Sequence, residues 1–229
     1  MLPADLRAAE EQTRAALAAA LAAQASGRWS IDWRFEGLRL LPPVLRLLHH
    51  LVDQGQAVSL LFSDAGGAAL ARRDAPELAD IVLDFRQLQQ RQQQHPSEGL
   101  LLVLSPAAAD YEAFESLCQS HRGAIVMVNG RLEDAAVGIG SVARERRRGF
   151  VATWQSAYWL QPLSGGALRQ ACPGPWEIYR DDPDGYRLIT TVEQKPDNEA
   201  IAAALSGDGG AGVAGTLRAM DSLLEGLRN

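Results

Sequence analysis

The sequence predicts an α/β fold: a mostly parallel sheet with flanking helices, extended by a C-terminal antiparallel, aromatic-rich meander. Three observations carry this expectation. Short continuous apolar runs, "AVSLLF" at 57–62, "GLLLVL" at 99–104 and "AIVMV" at 124–128, have the character of strands buried on both faces. Amphipathic segments lie between them, the alternation that builds strand–helix–strand units. From Phe150 onward the pattern becomes period-two and aromatic, and Asp182-Pro183-Asp184-Gly185 is a strong hairpin signal.

The chain has 229 residues, 47% of them hydrophobic, enough for one well-buried domain. The expected organisation is a single α/β domain at 1–205, a glycine-rich linker at 206–215 and a final helix at 216–229 with Leu217, Met220, Leu223, Leu224 and Leu227 along one side. No internal repeat is present.

Taken in order, "AALAAALAAQA" at 15–25 has the look of a signal-peptide core, but Asp5, Glu10 and Glu11 before it carry the wrong sign. An amphipathic helix with Leu6, Leu17 and Leu21 inward is expected instead. "RWSIDWRFEGL" at 28–38 alternates, placing Trp29, Ile31, Trp33 and Phe35 on one face of a strand. "PPVLRLLHHLVDQG" at 42–55 has prolines at its start, leucines at helical spacing and Gly55 just past its end. "AGGAALARRD" is a loop into a helix, "DIVLDF" a further strand, and the glutamine-rich 86–98 an exposed helix or insertion. "PAAADYEAFESLCQSHRG" is a helix entered through Pro106. "FVATWQSAYWLQPL" at 150–163 is read as one long strand with Phe150, Ala152, Trp154, Ser156 and Tyr158 on one face.

Composition excludes several functions. A net charge of −6 argues against a general nucleic-acid binder, which needs clustered cations. Lys195 is the only lysine, and its place between Gln194 and Pro196 argues against Schiff-base or lysine-dependent phosphate chemistry. Cys118, in an apparent helix, and Cys172, in "ACPGPW", form neither a disulfide framework nor a metal cluster and suit a reducing compartment. No apolar run approaches the roughly 20 residues of a membrane span.

The chemical motifs are sparse. Gly138, Gly140 and Ala143 match G-x-G-x-x-A, but that fingerprint needs its first glycine at a strand end and an acid about 20 residues later. Here the strand is expected to end near Asn129, and no acid follows in place. In "FSDAGGAALARRD", Ser63, Asp64, Gly66 and Gly67 sit where a strand gives way to a helix, an edge suited to anions. A helix cap by Asp64 or Ser63 explains the same residues. There is no Walker sequence, no G-x-S-x-G and no H-E-x-x-H. Adjacent His49 and His50 diverge by about 100° on a helix and do not share a metal. No catalytic residue, cofactor or metal site is therefore expected. Asp64, Gly66, Gly67, Asn129, Gly138 and Gly140 are the weak ligand candidates, using loops 63–67 and 129–140 for a nucleotide or phosphometabolite. Arg144, Arg146, Arg147 and Arg148 form the one concentrated basic patch, a docking surface for a protein or an anionic membrane or else a solvated face.

Three blocks, "FSDAGGAALARRD", "VNGRLEDAAVGIGSVARERRRGFVATWQSAYWLQPL" and "PGPWEIYR", in this order and spacing, resemble a family of uncharacterised domains from cyanobacteria and chloroplasts. That family includes the plant factor Low Photosystem II Accumulation 3. The resemblance runs from about residue 3 to about residue 205. It implies an accessory or assembly factor of photosystem II biogenesis, cytoplasmic or peripheral to the thylakoid membrane, whose partners are assembly intermediates or insertion machinery. The same domain is appended to a chloroplast adenylate kinase, which keeps a nucleotide-linked role open. The family supplies no catalytic residues; Asp64, Gly66, Asn129, Gly138, Gly140 and Trp176 carry over only as members of the matching motifs. The sequence shows no transit peptide, which suits a bacterial cytoplasm.

Overall fold

A computed structural model describes residues 1–138 and 140–207. The final helix expected at 216–229, and all of the linker beyond Gly207, lie outside the described residues.

Among the described residues, nine strands form one sheet. The parallel half contains β1 (Arg28–Trp33), β2 (Val58–Phe62), β3 (Val82–Asp84), β4 (Leu100–Leu104) and β5 (Ile125–Val128). The meander contains β6 (Gln155–Leu163), β7 (Gly166–Ala171), β8 (Trp176–Asp182) and β9 (Gly185–Val192). Their order is β3-β2-β4-β5-β1-β6-β7-β8-β9. β6 pairs parallel with β1 on one side and antiparallel with β7 on the other, so it joins the two halves without a break.

The helices are α1 (Leu6–Ala23), α2 (Leu41–Asp53), α3 (Ala65–Asp74), α4 (Phe85–Gln94), α5 (Tyr111–Ser120), α6 (Ser141–Arg148) and α7 (Asn198–Ser206). The first three cover one face of the sheet. Leu17 of α1, Val44 and Leu48 of α2 and Ala68 of α3 share a core with Trp29, Ile31 and Trp33 of β1. On the opposite face Phe85 and Leu88 of α4 and Phe114 and Leu117 of α5 pack on Leu101 and Val103 of β4. The chain runs outward from β1 to β3 over the first face and returns to β6 over the second. Crossovers that keep one hand throughout, as such connections generally do, give this arrangement.

Two elements differ from the sequence expectation. The long strand begins at Gln155, not Phe150; Val151–Thr153 is a 3-10 turn that tucks Phe150 and Trp154 against Phe114. Alternation then breaks at Ala157. Ser156 pairs with Ser30 while Tyr158 pairs with Ile31, so Ala157 is a bulge. Beyond it the phase is reversed: Tyr158 enters the first core and Trp159 faces the other side.

The stretch 128–150 joins the parallel half to the meander. It is the crossover from β5 to β6, which flank β1 on either side, and it contains a 3-10 segment at Leu132–Ala136 followed by α6. Cys118 is a buried core thiol whose pKa burial pushes up. The hairpin at Asp182–Gly185 forms as expected, with Gly185 at φ +116.

Candidate functional site

β1 is central, yet only one of its faces is apolar. Trp29, Ile31 and Trp33 point to the first core; Ser30, Asp32 and then Arg34 line the other side. The bulge at Ala157 puts Ser156 and Trp159 on that same side, beside Ser30 and Asp32. Gln170 of β7 and Trp176 of β8 continue the surface outward. Helices α4 and α5 cover the sheet at one end, and Ile201 of α7 packs on the meander at the other. Between these layers remains a cleft of about 970 Å³, floored by β1, β5, β6, β7 and β8 and rimmed by 130–133, 151–155 and 193–195.

The cleft is where the polar groups of the structure go unsatisfied. Arg34 Nε, Trp154 Nε1, Ser156 Oγ and Gln170 Oε1 are buried, have no hydrogen-bond partner and all line it. The one other such atom among the described residues, Asp182 Oδ2, faces Arg187 Nε at 2.7 Å. A buried polar atom without a partner costs about 1–3 kcal/mol, so four around one cleft form a set complementary to something that enters it.

Three of these groups are held in place by their neighbours. The Trp154 ring stacks on Phe114 at 5.6 Å and meets Phe150 edge-on. Gln170 is 6% exposed and donates through Nε2 to the Gly174 carbonyl, which fixes the opposite oxygen. Arg34 donates through Nη2 to Asp32 and to the Gly130 carbonyl at 3.0 Å, which leaves Nε uncommitted. A Cβ at Gly130 would meet Met127 Sδ at 2.2 Å, so the Met127 side chain would have to shift.

Asp32 is 3% exposed, and burial raises its carboxyl pKa above the usual range; Arg34 and the Ser30 hydroxyl oppose the shift without cancelling it. The indole of Trp159, whose own N–H donates to Gln161, carries two cations: Arg34 at 5.1 Å and Lys195 at 3.9 Å from its centroid. Glu133 lies 3.6 Å from Lys195 but is 73% exposed.

The cleft lies at a topological switch point. β1 leads to α2 on the first face and its neighbour β5 leads to the 3-10 segment on the second, the divergence that opens ligand crevices in α/β sheets. A second cavity, of about 650 Å³ beside α1 and α2, is lined by leucines such as Leu17 and Leu51 together with Arg14, His50, Gln54 and Gln56, and holds none of the unpaired atoms.

The residues singled out from sequence fall elsewhere. Asp64 is the N-cap of α3 and accepts from the Gly67 N–H at 2.9 Å, so it occupies the amide an anion would use. A Cβ at Gly67 would meet Phe62 at 2.7 Å, and one at Gly66 would meet Asp64 at 2.9 Å. Asn129 closes the β1–β5 seam through its side chain. Gly138, at φ +120, and Gly140, the N-cap of α6, lie a full 3-10 segment beyond β5, so the glycine pair does not meet a strand end.

The four arginines lie on α6 and divide into two kinds. Arg146 donates to the Ala135 carbonyl, pairs with Glu112 and sits over the Tyr111 ring at 4.6 Å; Arg147 donates to the carbonyls of Ala136 and Gly138. Arg144, Arg147 and Arg148 are all exposed, so it is the bonds to carbonyls that set Arg146 and Arg147 apart. The loop 63–67 and the loop 129–140 follow β2 and β5, with β4 between them.

Sequence reasoning missed Asp32, Arg34, Trp154, Ser156, Trp159, Gln170 and Lys195 as site residues. One signal was available: Ser30, Asp32 and Arg34 form a polar face on a strand that a doubly covered sheet would bury on both sides.

Fold and cleft thus define a doubly wound α/β domain with a fused meander and a ligand-sized site between them. The chain belongs to the family described as Domain of unknown function (DUF1995), whose model matches residues 3–203. No curated protein matches it. Among the described residues no helix is long and apolar enough to cross a membrane, and no group of three or more His, Cys, Asp or Glu side chains could hold a metal ion.

Proposed function

We propose that this chain is a ligand-binding accessory protein whose working site is the cleft between the parallel sheet and the meander. The observation that carries this reading is the convergence of Arg34 Nε, Trp154 Nε1, Ser156 Oγ and Gln170 Oε1, each unpaired, on one cavity. The groups presented are hydrogen-bonding and aromatic, which favours recognition over turnover. The setting we propose is photosystem II biogenesis at the thylakoid surface. That part rests on the resemblance of the three sequence blocks, with the exposed Arg144 and Arg148 as the charges available to an assembly intermediate or anionic membrane.

Native mass spectrometry of the protein recovered from a phototroph tests the binding reading. A bound mass retained by the parent and lost in Gln170→Leu supports it; an unliganded spectrum in both overturns it. Recovery of photosystem II subunits with the tagged protein tests the setting separately, since it does not depend on the cleft being occupied.

A further inference from the structure

We infer that the cleft takes an uncharged, polyhydroxylated ligand, a small saccharide. This rests on the binding reading above and names the class of ligand.

Strand register interleaves the polar and aromatic groups of the cleft. Asp32 pairs with Trp159, Trp159 with Gln170 and Gln170 with Trp176. An acid, an indole, an amide and a second indole therefore stand in one row across β1, β6, β7 and β8. Neighbouring strands lie about 4.8 Å apart, which makes the row roughly 14 Å wide. Ser30 and Ser156 pair in the adjoining row. The unpaired atoms are spread in the same way. Arg34 Nε lies just past the end of β1, Trp154 Nε1 just before β6, Ser156 Oγ on β6 and Gln170 Oε1 on β7. Two of them are N–H donors, one is a carbonyl acceptor, and the hydroxyl serves as either.

The charges of the cleft disfavour an ion. Asp32, Glu133 and Glu193 line it together with Arg34 and Lys195, three carboxylates to two cations. Arg34 is bonded to Asp32, and Lys195 lies 3.6 Å from Glu133. Among the described residues, no lining cation is left over for a carboxylate or phosphate. A cationic ligand fares no better, because the two unpaired N–H groups need acceptors and an ammonium has none. What fits is an uncharged molecule that gives and accepts hydrogen bonds at several separated points.

A hydroxyl meets that demand wherever it falls, since it both donates and accepts. A heteroaromatic ring holds its donors and acceptors in one plane, whereas a pyranose carries hydroxyls around its whole rim. The groups here sit on or beside three strands, which suits the rim. Asp32, whose carboxyl pKa burial raises, can face a hydroxyl whether or not it holds its proton. The C–H faces of such a ring have apolar walls in Trp159 and Trp176, whose centroids are 5.6 Å apart at 59°. About 970 Å³ is room enough for a disaccharide.

Three of the five tryptophans line this cleft, so intrinsic fluorescence reads its occupancy. The full chain is titrated with glucose, galactose, sucrose, maltose and trehalose. Glucuronate and glucosamine serve as charged counterparts, and quinoline and adenine as flat uncharged rings. The expected result is a saturable change with at least one uncharged sugar, about tenfold tighter than with any charged counterpart or flat ring. Gln170→Leu and Ser156→Ala should each weaken that sugar about tenfold, with near-ultraviolet circular dichroism checking that each variant folds. Should Gln170→Leu not fold, Ser156→Ala alone decides. The inference is overturned if no sugar of the panel binds, if a charged counterpart or flat ring binds as tightly, or if a folded variant binds the sugar as the parent does. A cleft-dependent mass in the native spectrum with no sugar bound would leave the binding reading standing and remove the ligand class.

Discussion

Asn129 and Trp33 are joined by a two-way bond between one side chain and one backbone unit. The Trp33 N–H donates to Asn129 Oδ1 at 2.8 Å, and Asn129 Nδ2 donates to the Trp33 carbonyl at 2.7 Å. The Asn129 N–H also donates to the Ile31 carbonyl, so the side-chain amide continues the β1–β5 ladder one step past its end. Asn129 achieves this at φ +49, a left-handed conformation that asparagine tolerates better than most residues. The seam it closes is the switch point beside the cleft, and the next residue is Gly130, whose carbonyl holds Arg34.

Asn129→Ala removes both bonds and leaves a Cβ in left-handed backbone. We expect a loss of about 2 kcal/mol, seen as a lower urea midpoint at unchanged slope. Asn129→Asp keeps the acceptor but faces a carboxylate to the Trp33 carbonyl, and should lose at least as much. An unchanged midpoint in both variants would mean that water replaces the amide.

Glu10 and Arg46 tie α1 to α2 by bidentate bonds of 2.9 and 2.6 Å. The carboxylate is 7% exposed and the guanidinium 49%. The two ends should therefore not be equivalent. Glu10→Gln leaves an arginine that water can solvate and should cost about 1–2 kcal/mol, whereas Arg46→Met strands a buried carboxylate and should cost more, up to about 3–4 kcal/mol. Thermal unfolding of the pair ranks them.

Asp32 predicts a pH-dependent gain on mutation. Burial raises its folded-state pKa, so the folded chain holds the acid proton to higher pH than the unfolded chain. Stability from this group is then greatest at low pH and falls as pH rises through the folded value. Asp32→Asn, which fixes the neutral form, should raise the melting temperature at pH 8, and the gain should shrink as pH falls toward the acid range. A variant less stable than the parent at pH 8 would show that the Arg34 pairing outweighs burial.

The α6 arginines should separate by role. Arg144→Gln with Arg148→Gln should leave the melting transition unchanged and weaken any salt-sensitive association. Arg146→Gln with Arg147→Gln removes the side-chain bonds to the Ala135, Ala136 and Gly138 carbonyls, and should raise amide exchange across 132–148. Equal exchange in the two double variants would refute the division.

Local patterns carried much of the fold into view. The apolar runs at 57–62, 99–104 and 124–128 are strands because a doubly covered sheet leaves no polar side, and Asp64 caps α3 as its position before Gly66 and Gly67 suggests. Strand order was not legible, because nothing local tells β5 to enter between β4 and β1. The phase of β6 was lost at Ala157, since a bulge inserts one residue without a compositional mark and moves Tyr158 and Trp159 to opposite faces. The cleft was hidden for a related reason. Its residues come from positions 30 to 195, and only the shared face of β1, β5, β6, β7 and β8 unites them. The arginine run stood out in the sequence because it is contiguous, yet two of its members serve the crossover itself.

A chain with one ε-amine, placed at the rim of its cleft, has a built-in address for amine chemistry. Apart from the α-amino group, an amine-reactive cross-linker can attach only at Lys195. Any conjugate formed through that side chain therefore reports a neighbour within one spacer length of the cleft mouth, with no competing lysines on the other faces to confuse it. The adduct mass would identify the neighbour and locate it on the molecule in the same measurement.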